Sequence, residues 1–423
     1  MISANNPLLK SWISIPQNSD FPIQNLPFGI FKTAQEKERV GVRIGDFVLD
    51  LKTLFVLGYL ENLPFESSDF DSKYLNTLMS KGKKATRDLR NRISKLLYID
   101  HDHLKKNEHH VSQVVIPIEQ ITMCMPVQIG DYTDFYSSRE HATNVGTMFR
   151  DPANALLPNW LWIPVGYHGR ASSVIISGQD IHRPKGQIKP NPDENPIFAP
   201  CRNLDFELET AFITFEGKPL GDSISPDEAE DFIFGVCLFN DWSARDIQTW
   251  EYVPLGPFLS KNFASSISPW IVTLDALQPY KCEGPVQAHH ELSYLEFEGN
   301  KSYDIKLQAF IQPENGDENL ISTSNLKFMY WNMAQQLAHH TVNGCNVRCG
   351  DLMGSGTISG PTPDSYGSML ELAWKGTKPL TLSDGTERKF IQDHDSVIMR
   401  GYCENEGVRI GFGEVRGKIL PAK

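Results

Sequence analysis

The sequence has few of the features that would send a chain to a membrane, a secretory route or a nucleic acid. No run approaches about 18 apolar residues, so no transmembrane helix is expected. The start, Met1-Ile-Ser-Ala-Asn-Asn-Pro-Leu8, lacks the basic-then-apolar order of a signal peptide, and none is expected. Cysteine is sparse, with seven in 423 residues, at 124, 201, 237, 282, 345, 349 and 403. An odd, widely spaced set is not a disulfide framework, and Cys345 and Cys349 have no second pair with which to build a zinc site. Reduced thiols and a cytoplasmic location are therefore expected. Excess positive charge is also missing. Asp plus Glu number 52 against 40 Lys plus Arg, a net charge of −12. This argues against nucleic-acid partners and anionic membrane surfaces, though a locally positive pocket can still take an anionic substrate. There is no Gly-x-Ser-x-Gly elbow, no His-Glu-x-x-His, no internal repeat and no low-complexity tract. The histidine pairs 109–110, 289–290 and 339–340 are adjacent, so in a strand or helix each pair diverges rather than chelates.

What is present reads as a soluble globular chain of two or three domains at about 150 residues each. Residues 28–56 look like short strands, with Gly45-Asp46 a two-residue hairpin turn between Val40–Ile44 and Phe47–Leu49. Residues 72–98 read as helix, broken at Gly82. Lys81 to Lys95 holds seven basic residues against one acid, and with no interleaved aromatics it is expected to be a solvated helix face. A domain boundary is placed near 118, giving domains 1–118 and 119–423. Beyond it the chain is mostly β with a few helices. Prolines 184, 190, 192, 196 and 200 punctuate an irregular loop, and Asp231–Phe239 is a continuous apolar run expected to be a strand buried on both faces.

The chemistry concentrates in a few segments. In Asn203-Leu-Asp-Phe-Glu-Leu-Glu-Thr210, strand periodicity points Leu204, Phe206 and Leu208 one way and Asp205, Glu207 and Glu209 the other. Neighbouring carboxylates on one face invite a hard divalent cation; the plainer alternative is a solvated strand edge. In Asp131–His141, Ser137 and Glu140 form a capping-box pattern, which predicts a helix from Ser138 to about Phe149 with Asp134 and Tyr136 just before it and His141 on its first turns; the plainer alternative makes Asp134 a turn acid and His141 a satisfied histidine. Asp241 ends the apolar strand, or caps the helix that follows it. Lys261 follows a Pro- and Gly-containing loop, where an ordinary lysine would be solvated. Gly354–Pro361 is Gly-rich but is neither a Walker nor a dinucleotide sequence. It suits a close approach of backbone to a ligand. An all-oxygen set of Asp134, Glu207, Glu209 and Asp241 favours Ca²⁺ or Mg²⁺ over zinc.

These segments resemble the fumarylacetoacetate hydrolase family. The resemblance rests on Asp134-Phe-Tyr-Ser-Ser-Arg-Glu-His141, Pro164–Ser173, Asp205-Phe-Glu-Leu-Glu209, Asn240–Gln248, Gly256–Phe263, Gly354–Pro361 and Met369–Gly376, in order over most of 120–420. The Asp-x-Glu-x-Glu and Asn-Asp-x-Ser-x-Arg-Asp elements mark the wider superfamily, and the 134–150 and 164–173 blocks narrow it. The resemblance implies a small N-terminal SH3-like β-barrel and a large C-terminal β-sandwich or β-roll. It also implies a β-diketo acid substrate, cleavage of a carbon–carbon bond and a homodimer. It implies Ca²⁺ held by Asp134, Glu207, Glu209 and Asp241, and Mg²⁺ near Asp241, Lys261 and Ser265. A protonated lysine could contact that second ion only through its carbonyl, and Ser265 stands where the family is expected to carry threonine. It further implies His141 as base, Glu371 as its partner, Arg245, Gln248 and Lys261 as oxyanion donors, and Tyr136, Arg150, Tyr167, Gln248, Tyr252 and Thr357 as substrate contacts. The rivals are another hydrolase or decarboxylase of the superfamily, acting for example on acylpyruvates, and a cation-stabilised binding protein without turnover.

Overall fold

A computed structural model describes residues 2–289 and 291–423, so His290 of the 289–290 pair lies outside the described residues. The chain is mostly β. Near the N-terminus, Phe28–Lys32, Arg39–Ile44 and Phe47–Asp50 pair antiparallel, with Gly45 at φ +52° making the turn expected of Gly45-Asp46. Val115–Pro117 and Thr122–Cys124 complete a five-stranded sheet. Residues Leu51–Val56 are a helix rather than strand, because Asp50 caps it by accepting from Thr53 N. Gly82, at φ +83°, separates Asn76–Met79 from the Gly82–Leu97 helix, which turns Ala85, Leu89, Ile93, Leu96 and Leu97 inward.

The basic face of that helix is solvated only in part: Lys81, Lys84 and Lys95 are exposed, while other basic residues are engaged by distant groups. Arg87 makes two 2.7 Å bonds to Asp275, and Lys83 reaches Asp231 Oδ1 at 2.9 Å. Arg90 is buried and donates to the carbonyls of Asn25 and Gln24 and, at 2.7 Å, to Asn5 Oδ1. The partners lie far away in sequence, where no local pattern reveals them.

The large part of the chain is built on an eight-stranded sheet. Its order is Gly166–His168, Tyr132–Phe135, Leu352–Gly354, Leu208–Thr214, Ile233–Asp241, Ser265–Ile267 and Val174–Ile176, with Val272–Thr273 also on Ile233–Asp241. One face packs Phe212, Val236 and Leu238 against Leu307, Val397 and Phe412 of a five-stranded sheet. The other face packs Ala211, Cys237 and Phe239 against the N-terminal strands and the Gly82–Leu97 helix. That two-sided covering is why the Ile233–Asp241 strand is buried at every position and reads as a continuous apolar run. The proline-punctuated stretch is more regular than expected, since Lys185–Ile188 and Ile197–Pro200 form a two-stranded ribbon. All seven cysteines are free, and no helix among the described residues is long and apolar enough to cross a membrane.

Candidate active site

Sheet register gathers the acids at one edge. Asp134 lies opposite Gly354, Glu209 opposite Phe239, and Asp241 opposite Ser265, so three carboxylates emerge from neighbouring strand ends. The 203–210 segment is not one strand. It pairs at Leu204–Asp205, breaks at Phe206 and Glu207, and resumes at Leu208. Glu207 sits in the break, its backbone N–H held by Asn240 Oδ1 at 3.1 Å. Residues 204–210 are all buried, which rules out a solvated edge.

Asp134, Glu207, Glu209 and Asp241 each offer a carboxylate oxygen, and the four oxygens lie within 4.8 Å of one another. Gly354 makes room for this. A Cβ there would stand 2.6 Å from Asp134 Oδ1 and 3.3 Å from Glu209 Oε2. Gly356, at φ +80°, donates its N–H to Glu209 Oε2 at 2.9 Å. The Gly-rich segment thus brings backbone up to carboxylates. Asp134 Oδ1 and Glu209 Oε1 are buried without a hydrogen-bond partner among the described residues. Burial pushes both carboxyls well above the usual range, and neighbouring acids push them further. Orphaned buried oxygens in an all-oxygen set fit a hard divalent cation.

Two cations of the chain meet this set. The Lys261 ammonium bonds Glu207 and, at 2.7 Å, Asp241 Oδ2. Arg245 Nη1 lies 2.8 Å from Glu207 Oε1. Burial alone would raise the Glu207 carboxyl, but Lys261 and Arg245 outweigh it and hold it far below its ordinary value. Burial opposes the Lys261 charge, and Asp241 and Glu207 keep it on. Ser265 Oγ donates to Asp241 Oδ1 at 2.8 Å, and Tyr167 OH to Asp241 Oδ2 at 2.9 Å. Asp241 does not cap the following helix Arg245–Glu251, whose N-cap position is Ala244.

Asp205 leaves its two neighbours. It accepts from Arg245 Nε at 2.8 Å and from the N–H groups of Met369 and Leu370 at 2.7 and 3.0 Å. It thereby ties Arg245 to the short Met369–Leu372 helix, which carries Glu371. His141 lies on the Arg139–Phe149 helix, where Ser138, one residue later than expected, caps it by accepting from His141 N. His141 Nδ1 lies 2.7 Å from Glu371 Oε2, both side chains buried. Burial raises the Glu371 carboxyl, but His141 and donors from Asn144 and Ser359 hold it below its ordinary value. An ionised carboxylate only accepts, so Nδ1 is the protonated nitrogen that faces it, and in the neutral ring Nε2 is the one with the lone pair. Tyr136 sets its ring edge-on to the imidazole at 5.2 Å. Burial raises its phenol, so it stays a neutral donor.

Gln248 Oε1 accepts from Arg245 Nη1 at 3.2 Å, while Arg245 Nη2 is buried with no hydrogen-bond partner among the described residues. Tyr252 meets Gln248 only through its backbone, its N–H donating to the Gln248 carbonyl at 3.0 Å, and among the described residues no side-chain hydrogen bond or ion pair joins Arg150, Tyr252 or Thr357 to these groups. Arg150 donates to Ala155 O, and Tyr252 is half exposed on a loop. Sequence reasoning missed Asn144, Ser359 and Ser368 around Glu371. Ser359 was visible only as part of the Gly354–Pro361 block.

Two family patterns match the chain: fumarylacetoacetase N-terminal over residues 24–126, and fumarylacetoacetate (FAA) hydrolase C-terminal over 131–420. A fumarylacetoacetase from Dictyostelium discoideum is 53% identical over 421 residues, 98% of this chain and 99% of that one. The Homo sapiens fumarylacetoacetase is 50% identical over 414 residues, 97% and 99% of the two chains. Among solved structures, a fumarylacetoacetate hydrolase from Exiguobacterium antarcticum aligns with TM-score 0.52 at 16% identity, over 94% of this chain and 100% of that one. A maleylpyruvate hydrolase from Sphingobium sp. SYK-6, solved with manganese(II) and pyruvate, gives 0.51 at 14% identity over 94% and 100%. At these identities the structures speak for the fold alone.

Proposed function

The chain belongs to the fumarylacetoacetate hydrolase family, and we propose that it hydrolyses a carbon–carbon bond of 4-fumarylacetoacetate to give fumarate and acetoacetate, the last step of tyrosine and phenylalanine breakdown. The observation that carries this reading is the convergence of four buried carboxylates in the same site region as a base poised by a carboxylate. The chemistry asks for that combination. Water must attack a ketone carbonyl, and the carbon that leaves must depart as an enolate.

His141 Nε2 takes the proton of the attacking water, while Glu371 holds Nδ1–H and stabilises the imidazolium that forms. The imidazolium then returns the proton to the departing enolate carbon. Arg245, with its unpaired Nη2, is the donor best supported for the tetrahedral oxyanion, joined by Gln248 and Lys261. One such donor contributes about 3–4 kcal/mol. Tyr136, Arg150 and Tyr167 take the carboxylate ends of the substrate, with Tyr252 and Thr357 as further contacts. Asp134, Glu207, Glu209 and Asp241 would hold Ca²⁺, and Asp241 and Ser265 border a second place for Mg²⁺; for Lys261 the ammonium, not the carbonyl, is the group that meets the acids. A divalent ion, when bound, supplies Lewis-acid charge to substrate oxygens.

We place the division of the chain at 118, with Thr122–Cys124 returning to the first sheet. A homodimer in the cytoplasm completes the proposal. Seven free thiols support the compartment, and exposed Val253, Leu255 and Phe258 offer apolar surface for pairing. Loss of the diketone absorbance of fumarylacetoacetate, followed with and without a chelator and set against acylpyruvates, tests the reading. Turnover of fumarylacetoacetate that the chelator abolishes is expected; preference for acylpyruvates would overturn it.

A further inference from the structure

The Glu371 carboxylate is surrounded by donors. His141 Nδ1 lies 2.7 Å from Oε2, Asn144 Nδ2 donates to Oε1 at 2.9 Å, and Ser368 Oγ donates to Oε2 at 2.9 Å. Ser359 Oγ lies 2.8 Å from Oε2 and 3.0 Å from Oε1. An ionised carboxylate offers about four acceptor sites, and four residues fill them. Both serines are fully buried, so no water competes for their hydroxyls. Gly367 N–H occupies an acceptor site of Ser359 Oγ at 3.0 Å, which leaves the hydroxyl proton to point at Glu371. The Ser359 carbonyl accepts from Ser138 Oγ at 3.2 Å, and Ser138 caps the helix of His141. Ser359 therefore touches both the partner of the imidazole and the start of the helix that carries it. The backbone of Ser368 bridges to Glu207, so the second serine stands where the base pair meets the acid strand.

We propose that Ser359 and Ser368 are positioning residues that act through Glu371, fixing its orientation and charge and so aiming His141 Nε2 at the water. This rests on the reading of His141 as base. The two hydroxyls disperse the carboxylate charge and stop the carboxylate from rotating away from Nδ1–H. Asn144 alone, bonded to the far oxygen, cannot do so.

The test uses Ser359→Ala, Ser359→Cys, Ser368→Ala and Ser368→Cys in the full chain, with His141→Asn as a control. Cysteine fills the space of serine but donates poorly. In all four variants kcat is expected to fall about ten- to a hundredfold. KM should stay within about twofold, because the lost interaction bears on the transition state. With its charge less dispersed, Glu371 favours the imidazolium, so the acid limb of the kcat/KM profile moves to higher pH. Cysteine variants with wild-type kcat would mean that the serines only fill space, and would overturn the proposal. Wild-type kcat and pH profile in the alanine variants would overturn it equally. If His141→Asn keeps turnover, the base itself is misassigned. If His141→Asn is inactive while the serine variants match wild type, only the positioning role falls.

Discussion

Divalent cation should stabilise this protein more in alkaline than in acidic buffer, and the buried acids set the sign. Asp134 and Glu209 have carboxyls raised well above the usual range by burial and then by neighbouring acids. Without a cation, the folded chain keeps protons there that the unfolded chain has already lost. The folded state then binds more protons than the unfolded one, so stability falls as pH climbs above the ordinary carboxylate range. Glu207 has the opposite sign. Its carboxyl is depressed, so its contribution is present above the ordinary range and is lost only in more acidic buffer. A bound cation takes the place of the Asp134 and Glu209 protons, and must compete with them at low pH. At a hundredfold excess over Kd, a ligand binding only the folded state adds about 2.7 kcal/mol. With about 2.1 cal/mol/K of unfolding entropy per residue, that raises Tm by about 3–4 °C for a unit of this size. Scanning calorimetry with excess Ca²⁺ and with chelator, at about pH 5.5 and about pH 8, reads the difference, which should be larger at the higher pH. An equal cation-induced shift at both pH values, or an undiminished shift in Glu209→Gln, would refute the reasoning.

His141→Ala should lower kcat by about 10²–10⁴-fold while the calcium-induced Tm shift persists, as general-base loss predicts; normal turnover would remove His141 from the reaction. Asp241→Ala strips a carboxylate and leaves Lys261 on Glu207 alone, so both calcium content and turnover should fall, and unchanged calcium would refute the ligand assignment. Arg90→Ala orphans the carbonyls of Gln24 and Asn25 and opens a cavity, so urea unfolding should show a loss of about 2–4 kcal/mol. Glu251 accepts from the N–H groups of Phe258, Leu259 and Ser260 at 2.8–3.1 Å, closing the loop that carries Tyr252. Glu251→Ala should raise KM severalfold with a smaller change in kcat; an unaltered KM would detach that loop from substrate binding.

Local rules reached far into this fold where one segment decides its own shape. The Gly45-Asp46 turn, the break at Gly82, the helix under His141 and the buried strand ending at Asp241 each follow from a few adjacent residues. What local rules missed depends on partners far along the chain. Nothing local shows that Lys83 and Arg87 of Gly82–Leu97 are paired, because Asp231 and Asp275 are about 150 to 190 positions away. Residues 51–56 looked extended because their apolar content masked the Asp50 cap. The pairing of His141 with Glu371 spans 230 positions, and only the family resemblance proposed it.

Asp205 shows most clearly how far alternation can carry an argument. Period two put it on one face with Glu207 and Glu209, and a continuous strand would have made it a fifth carboxylate in the cluster. The strand instead breaks at Phe206 and Glu207, and Asp205 turns to Arg245 and the start of the Met369–Leu372 helix. The break is what makes the site workable. A fifth buried carboxylate would add repulsion to a set in which Asp134 and Glu209 already have orphaned oxygens. As a structural anion it neutralises one side of Arg245 and leaves Nη2 free, and it fixes the helix from which Glu371 reaches His141. One carboxylate moved out of the acidic cluster thus joins Arg245 to the helix that carries Glu371, the partner of His141.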